Sequence, residues 1–209
     1  MTDKTYHHGD LKNALIQAGI EILAQEGVSG LSLRKVARRA GVSHAAPYSH
    51  FRDKQGLIAA ISTEGYSHVK ERVERVMEKY SGDAIQTIAH TAWTYLRFAL
   101  DEPDLFKITF SGVVEKEKDY PALVEATQTS FGLLLGIVER CQADGILRSG
   151  PADLSALSLW AAIHGMLTLA QDGQVSHTIL ANNSWERMLV FTLNQYCLVP
   201  IPEEIFDPD

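Results

Sequence analysis

Apolar residues recur every three or four positions along most of this chain, which is the pattern of amphipathic α-helices. Glycine, proline and helix-capping residues separate the periodic segments. No segment alternates apolar and polar residues as a half-buried strand does. The sequence therefore predicts an all-α protein. The predicted helices cover about residues 10–26, 53–79, 83–100, 121–143, 153–171 and 185–198.

The stretch LSLRKVARRAGVSHAAPYSHF, residues 31–51, predicts two short helices joined by a tight turn. Gly41 stands where a helix ends in a left-handed residue. Ser43 is expected to cap a second helix, over about residues 44–50, by accepting a hydrogen bond from a free backbone N–H. Two helices joined by a short glycine-containing turn form the helix-turn-helix unit, whose second helix can enter the DNA major groove. The motif, about residues 32–51, therefore predicts DNA binding.

The residue order within this motif resembles the TetR family of transcriptional regulators. The resemblance rests on A-x-x-A-G-V-S followed by Tyr48, His50, Phe51 and Lys54, and it is specific over about residues 9–60. The chain departs from the family pattern at Pro47, where the family more often has an aliphatic residue. If Ser43 is the cap, Pro47 is the fourth helical residue, and its missing N–H deletes only the first backbone bond. The departure bears on base specificity and not on the fold.

We expect two kinds of DNA contact from the motif. Hydrogen-bond donors and charged groups should reach the phosphates, which position a protein on the duplex. This set consists of Ser32, Ser43, Tyr48, His50 and Lys54. Base edges should be met at the start of the second helix and from the first helix nearby. This second set consists of His44 and Ala45, with Arg34 or Lys35.

Charge is divided unevenly along the chain. The net charge of −7 has the wrong sign for a protein whose bulk coats nucleic acid. Residues 1–60, however, hold 8 Lys and Arg against 5 Asp and Glu, whereas the remaining residues hold 11 against 21. A small basic end on a larger acidic body is typical of a protein that touches DNA with one part only.

These observations predict two domains. Residues 1–56 should form a three-helix DNA-binding domain that contains the helix-turn-helix motif. Residues 57–209 should form a larger helical domain for ligand binding and dimerisation. The helix predicted over residues 53–79 would be about 39 Å long, and it could carry a movement from one domain to the other.

The helix predicted over residues 153–171 is apolar nearly all round. From Leu159 to Ala170 only His164 and Thr168 are clearly polar, so this helix must be buried on more than one side. We expect one of its faces to pack against a second copy of the chain, together with the last predicted helix, in a four-helix interface. That face consists of Leu159, Ala162, Met166 and Leu169.

The run W-x-x-x-H-G at Trp160, His164 and Gly165 resembles the WHG-type C-terminal domain of one TetR subgroup. The family resemblance implies a homodimer, a double-stranded and pseudo-palindromic DNA operator, and a small-molecule pocket in each second domain. It also implies that ligand binding lowers the affinity for DNA.

We expect this pocket to have mostly apolar walls with a few orienting polar groups. No cluster of Arg or Lys points at it, so a neutral or aromatic organic molecule is favoured over a polyanion. The expected lining residues are Trp93, Phe106, Phe110, Phe131, Trp160, His164 and Thr168. For His164 two interpretations stay open: a core histidine bonded to a backbone carbonyl or a neighbouring side chain, or a residue that faces the ligand.

Other functional classes are less well supported. An enzyme needs a nucleophile with a base, paired carboxylates or a ligand cluster, and none stands at diagnostic spacing. An architectural DNA binder would not need the acidic, aromatic-rich second domain. The sequence therefore predicts a ligand-responsive regulator, a repressor by preference. The alternative is an all-helical small-molecule-binding protein or enzyme without a role in gene regulation.

Neither a metal ion nor a cofactor is expected. His7 and His8 are adjacent but have no third ligand nearby, and Cys141 and Cys197 lack metal-ligand spacing and predict buried free thiols. No apolar run approaches the ~20 residues of a membrane span. The start of the chain has no hydrophobic segment for export, so we expect a cytoplasmic protein without membrane contact.

Overall fold

The computed structural model describes residues 8–115 and 117–207, with side chains from residue 11 onward, and in this part of the chain the regular elements are all helical. Its α-helices are α1 (His8–Gly30), α2 (Leu33–Arg39), α3 (Lys54–Lys79), α4 (Ala84–Asp101), α5 (Pro103–Thr109), α6 (Pro121–Ala143), α7 (Ala152–Gln171), α8 (His177–Asn182) and α9 (Trp185–Asn194). Three 3-10 turns lie at Ala46–Ser49, Glu117–Asp119 and Glu203–Phe206. The predicted all-α fold is confirmed.

Local sequence signals explain most of the helix boundaries. Gly27, with φ of 66°, interrupts α1 close to the predicted end of the first helix. Asp83 accepts a hydrogen bond at Oδ1 from the backbone N of Gln86, 3.0 Å away, and so caps α4. Several segments differ from the prediction, among them α5, which was not predicted as a helix. α8 was not predicted, and α9 ends at Asn194 rather than near residue 198 because the chain then forms an isolated bridge between Leu147 and Cys197.

The described residues fall into two compact units. The N-terminal unit consists of the described residues within 1–67 and 102–128. The C-terminal unit consists of the described residues within 68–101 and 129–209. This division differs from the predicted boundary after residue 56, because the first part of α3 belongs to the N-terminal unit and α5 joins it there. The functional boundary between residues 56 and 57 stays a prediction.

In the N-terminal unit, α1, α2 and the first part of α3 share one apolar core. Leu15, Ile22, Val36, Leu57 and Ile61 are all fully buried there. α5 packs against α1, and it also crosses α3 closely at Gly65, where an added Cβ would lie 1.8 Å from Oγ1 of Thr109. The helix-turn-helix segment is thereby fixed on a rigid base.

In the C-terminal unit, α4 is the central helix. It packs against α7 and α9, which also contact each other, and the 3-10 turn Glu203–Phe206 packs on α4 and α9. Phe98 and Leu96 of α4 and Leu167 of α7 are fully buried. Between α9 and the last turn, Asn194 binds both the N–H and the carbonyl of Ile201 through its side-chain amide.

Two helices carry more apolar character than the sequence analysis allowed. By length and composition alone, α6 and α7 are apolar enough to cross a membrane, so the expectation that no apolar run approaches a membrane span was wrong. The same test is passed by core helices of soluble proteins, and two such helices are weak evidence. Few residues of either helix are buried within the chain itself. Both helices therefore keep apolar surface for another contact.

Candidate DNA interface and ligand site

The first helix of the motif begins as the sequence predicts. The Oγ atom of Ser32 accepts a hydrogen bond from the backbone N of Lys35 at 3.3 Å, so Ser32 is the N-cap of α2. Gly41 has a φ of 69°, and the N–H of Val42 reaches back to the carbonyl of Ala37 at 3.0 Å. This bond closes the end of α2 in the manner that a left-handed glycine permits.

The second helix of the motif is much shorter than predicted. Only Ala46–Ser49 is helical, as a single 3-10 turn, and its N-cap position is Ala45 without a side-chain cap bond. The prediction of an α-helix over residues 44–50 with Ser43 as its cap was therefore wrong. Pro47 is the second residue of this turn and not the fourth residue of a longer helix.

The proline explains this difference. A proline lacks the N–H group, and it is well tolerated only in the first turn of a helix. Pro47 is also buried, so its ring packs inward. The Ser49 hydroxyl donates to the carbonyl of Ala46 at 2.7 Å, which closes the turn locally. The recognition element of this chain is thus a compact turn that leaves Tyr48 56% exposed.

Several basic side chains of the motif are bound within the N-terminal unit. Lys35 pairs with Glu26 and also approaches the carbonyl of Gly30. Lys54 donates to the carbonyl of Val28, so that it ties the start of α3 to the end of α1. A phosphate must therefore compete with the Glu26 carboxylate for Lys35, whereas Lys54 can keep its bond to Val28 and donate to a phosphate with another N–H of its ammonium group.

The remaining expected DNA contacts differ in exposure. Ser32, Arg34, Ser43, His44, Ala45 and Tyr48 are exposed, whereas His50 is half-buried and packs its ring near that of Phe51. The structure thus gathers an exposed polar surface around the recognition turn. Between the two candidate base-reading side chains of α2, Arg34 points to solvent and Lys35 is paired.

In the C-terminal unit a hydrogen-bonded group joins α4 and α7. The indole N–H of Trp160 donates to the hydroxyl oxygen of Tyr95 at 3.1 Å, and this hydroxyl lies 2.8 Å from Nδ1 of His164. Tyr95 is buried, and the two α7 residues are half-buried. Sequence reasoning missed Tyr95, because a tyrosine on an apolar helix face gives no signal of its partners.

Chemistry fixes one donor within this group. An indole N–H can only donate, so the Tyr95 oxygen accepts from Trp160. The direction of the bond between the Tyr95 hydroxyl and Nδ1 of His164 depends on the tautomer of the imidazole. Burial lowers the pKa of His164, which favours the neutral imidazole. The bond to a neighbouring side chain fits the core interpretation of His164, and it leaves a ligand-facing role untested.

The other expected pocket residues do not all join this group. Trp93 lies two positions from Tyr95 on α4, so it points to another side of the helix, and its ring stacks on Phe206 with centroids 5.0 Å apart. Phe106 and Phe110 belong to the N-terminal unit, where Phe106 is buried. Phe131 is half-buried on α6, and the Thr168 hydroxyl donates to the carbonyls of His164 and Gly165 of its own helix.

Among the clefts in the described part of the C-terminal unit are two that do not include His164. One, of about 370 Å³, lies between the start of α7 and the segment after α9, with Arg148, Leu154 and Tyr196 in its walls. The other, of about 250 Å³, lies between α6 and the α3–α4 turn, beside Cys141. Burial raises the pKa of the Cys141 thiol to about 12, so this cysteine is an inert thiol as expected.

The outward face of α7 is rotated from the predicted one. Leu159 is only 2% exposed and packs inside its own unit, and Ala162 and Met166 are half-buried, with Met166 against Thr192 of α9. Only Leu169 of the predicted contact face is strongly exposed. The apolar side chains that do point outward on α7 and α9, which we call the α7/α9 face, are Leu154, Leu157, Ala161, Leu169 and Phe191.

The assignment of Leu159 to a dimer contact was therefore wrong, and the reason is the helix itself. Adjacent helical positions point about 100° apart. When a helix is apolar nearly all round, its sequence does not show which side faces the core and which faces outward. Some expectations lie outside the part of the chain that the structure describes. These concern the side chains of His7 and His8.

Two family models match this chain, one in each half. Residues 15–61 match the model for bacterial regulatory proteins of the tetR family, and residues 88–192 match the tetracyclin repressor-like C-terminal domain. The chain belongs to the TetR family.

Individual relatives are also transcriptional regulators or repressors by name. The uncharacterized HTH-type transcriptional regulator YvkB of Bacillus subtilis strain 168 is 23% identical over 136 residues, which cover 65% of this chain and 70% of the relative. The class A tetracycline repressor protein from transposon 1721 of Escherichia coli is 38% identical over 66 residues, 30% of this chain and 31% of that protein.

Solved structures show the same fold. A protein of unknown function from Rhodococcus sp. RHA1 has a TM-score of 0.75 and 33% identity, and the match covers 92% of this chain and 96% of that one. The TetR family transcriptional regulator PfmR from Thermus thermophilus has a TM-score of 0.64 at 15% identity, over 87% and 93% of the two chains.

As a TetR-family member, this protein is a DNA-binding transcriptional regulator, and the predicted fold, family and function class are confirmed. Members of the family are soluble regulatory proteins that dimerise, bind operator DNA and are typically ligand-responsive repressors. The narrower resemblance to the WHG-type C-terminal domain stays a prediction, since the matching C-terminal model is the tetracyclin repressor-like one.

Proposed function

We propose that this TetR-family regulator is a cytoplasmic homodimeric repressor that a small neutral or aromatic organic molecule releases from a pseudo-palindromic operator. The observation that carries the ligand side is the hydrogen-bonded group of Trp160, Tyr95 and His164. It combines aromatic surface with a few polar atoms in fixed directions, which is the composition of small-molecule sites. The group contains no charged side chain, and this supports a neutral ligand over a polyanion.

On the DNA side, we assign phosphate contacts to the exposed Ser32, Ser43 and Tyr48, to Lys54, and to His50 after local rearrangement. We assign the base-edge contacts to His44 and Ala45, directly before the recognition turn, and to Arg34 on α2. Arg34 is preferred over Lys35 because Lys35 is already paired with Glu26. Each subunit presents one recognition turn, so the two half-sites should lie about 34 Å apart, or a multiple of that distance.

Substitutions at Tyr48 and Lys54 test the placement of the DNA contacts. Tyr48→Phe removes one hydroxyl donor from an exposed position, and Lys54→Ala removes one charge. Both proteins should bind all DNA sequences more weakly, and Lys54→Ala should lower the salt slope of binding by about one. Fluorescence anisotropy with labelled duplex DNA over a salt series measures both quantities.

Arg97→Ala serves as the control for Lys54→Ala, because it removes an exposed charge from the C-terminal unit, where Arg97 pairs with Asp101. Lys54 also binds the carbonyl of Val28, so thermal melting must show that the variant is folded. If Tyr48→Phe and a folded Lys54→Ala both keep the wild-type affinity and slope, the proposed DNA surface is wrong.

Substitution of Tyr95 tests the ligand site. Tyr95→Phe removes the hydroxyl that joins Trp160 to His164 and leaves the ring in place. We expect about tenfold weaker response to a ligand, the factor that corresponds to ~1.4 kcal/mol, with unchanged DNA affinity in its absence. A thermal-shift screen with a metabolite library supplies ligands, and each hit is then titrated into the protein–DNA complex.

Tyr196→Phe is the matched control, because the Tyr196 hydroxyl bonds to Ser158 in another part of the same unit. His164→Ala completes the set. If the same ligand concentration releases the wild-type, Tyr95→Phe and His164→Ala proteins from DNA, this group is only part of the core.

A further inference from the structure

Arg52 occupies an unusual place directly after the helix-turn-helix motif. Its side chain is 82% exposed, and its Nε donates to Oδ2 of Asp53 at 3.1 Å. It follows the recognition turn by three residues and precedes α3 by two. Residues that flank a recognition element are placed to meet the phosphates on either side of the groove.

Asp53, the partner of Arg52, is itself fixed. Its Oδ1 accepts a hydrogen bond from the backbone N of Gly56 at 2.9 Å, at the start of α3. This backbone bond, followed by the bond from Arg52, lowers the pKa of Asp53, so the carboxylate is charged at neutral pH. Arg52 is therefore held beside a permanent negative charge.

An acidic segment of the same unit, residues 115–120 between α5 and α6, lies against the start of α3. The backbone N of Glu115 donates to the side-chain carbonyl of Gln55 at 3.2 Å. The ring of Tyr120 lies beside Gly56, where an added Cβ would be 3.8 Å from the ring. Residues 115–120 hold three carboxylates, Glu115, Glu117 and Asp119, against two lysines, Lys116 and Lys118, so the segment is net negative.

The electrostatics agree with this packing. The pKa of Arg52 is raised, first by its bond to Asp53 and also by the charge of Asp119. The pKa of Tyr120 is raised by burial and then by Asp53, while Asp119 and Glu115 add to the same effect. Arg52 thus lies within electrostatic reach of Asp53 and, more weakly, of Asp119 in the 115–120 segment.

We propose that Arg52 is a DNA phosphate contact and that Asp53 and the acidic 115–120 segment compete with phosphate for its guanidinium. The proposal rests on the DNA-facing surface described above and adds to it a residue that the motif did not indicate. An exposed ion pair contributes little to stability, so a phosphate can take over the guanidinium, which binds phosphate oxygens in bidentate fashion. The acidic segment would thereby keep sequence-independent DNA affinity low.

The first experiment measures binding of a fluorescein-labelled duplex of random sequence over a salt series. Arg52→Gln should lower the affinity at low salt and reduce the salt slope by about 0.9, the contribution of one phosphate. Arg140→Gln is the matched control, since Arg140 is an exposed arginine paired with a carboxylate, Asp144, in the C-terminal unit. If Arg52→Gln and Arg140→Gln give the same slope, Arg52 is not a phosphate contact.

The second experiment removes the competing charges. Asp119→Asn combined with Glu115→Gln should raise the affinity for the random duplex by up to about fivefold, the range of an exposed ion pair. In an Arg52→Gln background this increase should be clearly smaller, because only the direct repulsion between the carboxylates and the duplex is then left to relieve. No increase in the first case, or an equal increase in the second, would overturn the competition.

These outcomes are distinct from a failure of the DNA surface itself. If the wild-type protein does not bind the random duplex at low salt, the whole DNA-facing assignment falls, and Arg52 with it. Circular dichroism and thermal melting of each variant check folding. Asp53 is left unchanged, because its substitution would also remove the bond to the backbone N of Gly56.

Discussion

Phe191→Glu is expected to convert the protein from a dimer to a monomer and to abolish tight operator binding. Phe191 is 69% exposed on α9, the largest exposure among the large apolar residues of the described chain, and Leu157 of α7 is 47% exposed. If a second copy covers this α7/α9 face, the new carboxylate is buried without a partner, which costs about 3–5 kcal/mol. Twofold symmetry places that charge in the interface twice.

Analytical ultracentrifugation at micromolar concentration measures the first effect, and anisotropy with operator DNA measures the second. Phe191→Met is the control, because it keeps an apolar side chain of similar reach at the same position and should remain dimeric. Leu159→Ala gives the complementary result, since Leu159 is buried in its own unit. It should lose about 2–5 kcal/mol of unfolding free energy without a matching loss of dimer affinity.

A Phe191→Glu protein that sediments as a dimer would rule out the α7/α9 face as the interface. A Leu159→Ala protein that is fully stable and monomeric would instead favour the contact face predicted from sequence. The two variants therefore distinguish the outward face of α7 seen in the structure from the contact face predicted from the sequence.

Gly65→Ala is expected to destabilise the N-terminal unit although alanine is the better helix former. An added Cβ would lie 1.8 Å from Oγ1 and 2.9 Å from Cβ of Thr109. Thr109 is buried, and its hydroxyl is bound to the carbonyl of Leu105, so rotation of the threonine does not relieve the contact. Separation of α3 from α5 should cost about 1–3 kcal/mol of unfolding free energy.

Gly132→Ala is the matched control, because Gly132 lies inside α6 with nothing within 4 Å of an added Cβ. That variant should gain up to about 1 kcal/mol from helix propensity alone. Chemical denaturation followed by circular dichroism measures both changes. If both glycine variants become more stable, α3 and α5 do not cross as closely as described. Gly65→Ala with Thr109→Ser, which deletes one methyl group, should recover only part of the loss.

The sequence alone was sufficient for the elements and for the functional class. Helical periodicity with glycine and cap residues predicted the long helices, because these signals act within a few residues of the chain. The A-G-V-S run, with Gly41 in the left-handed region, located the motif, and Ser32 proved to be the cap. The family resemblance of residues 9–60 then indicated a DNA-binding regulator, and the comparisons agree.

One local feature was misjudged for a local reason. Ser43 offered a suitable cap, but Pro47 decided where helical hydrogen bonding could start, and the recognition element became the single turn Ala46–Ser49. The proline was visible in the sequence. Its effect on the length of the turn depended on its ring being buried, which is a property of the packed unit.

Only the tertiary structure decided which side chains meet. The outward face of α7 could not be read from a helix apolar nearly all round, because periodicity gives no phase when most positions are apolar. The bonds of Lys35 to Glu26, of Lys54 to Val28 and of Tyr95 to both Trp160 and His164 join residues 9 to 69 positions apart. Such pairs depend on how helices pack and on the directions in which their side chains point, and no short-range pattern encodes either.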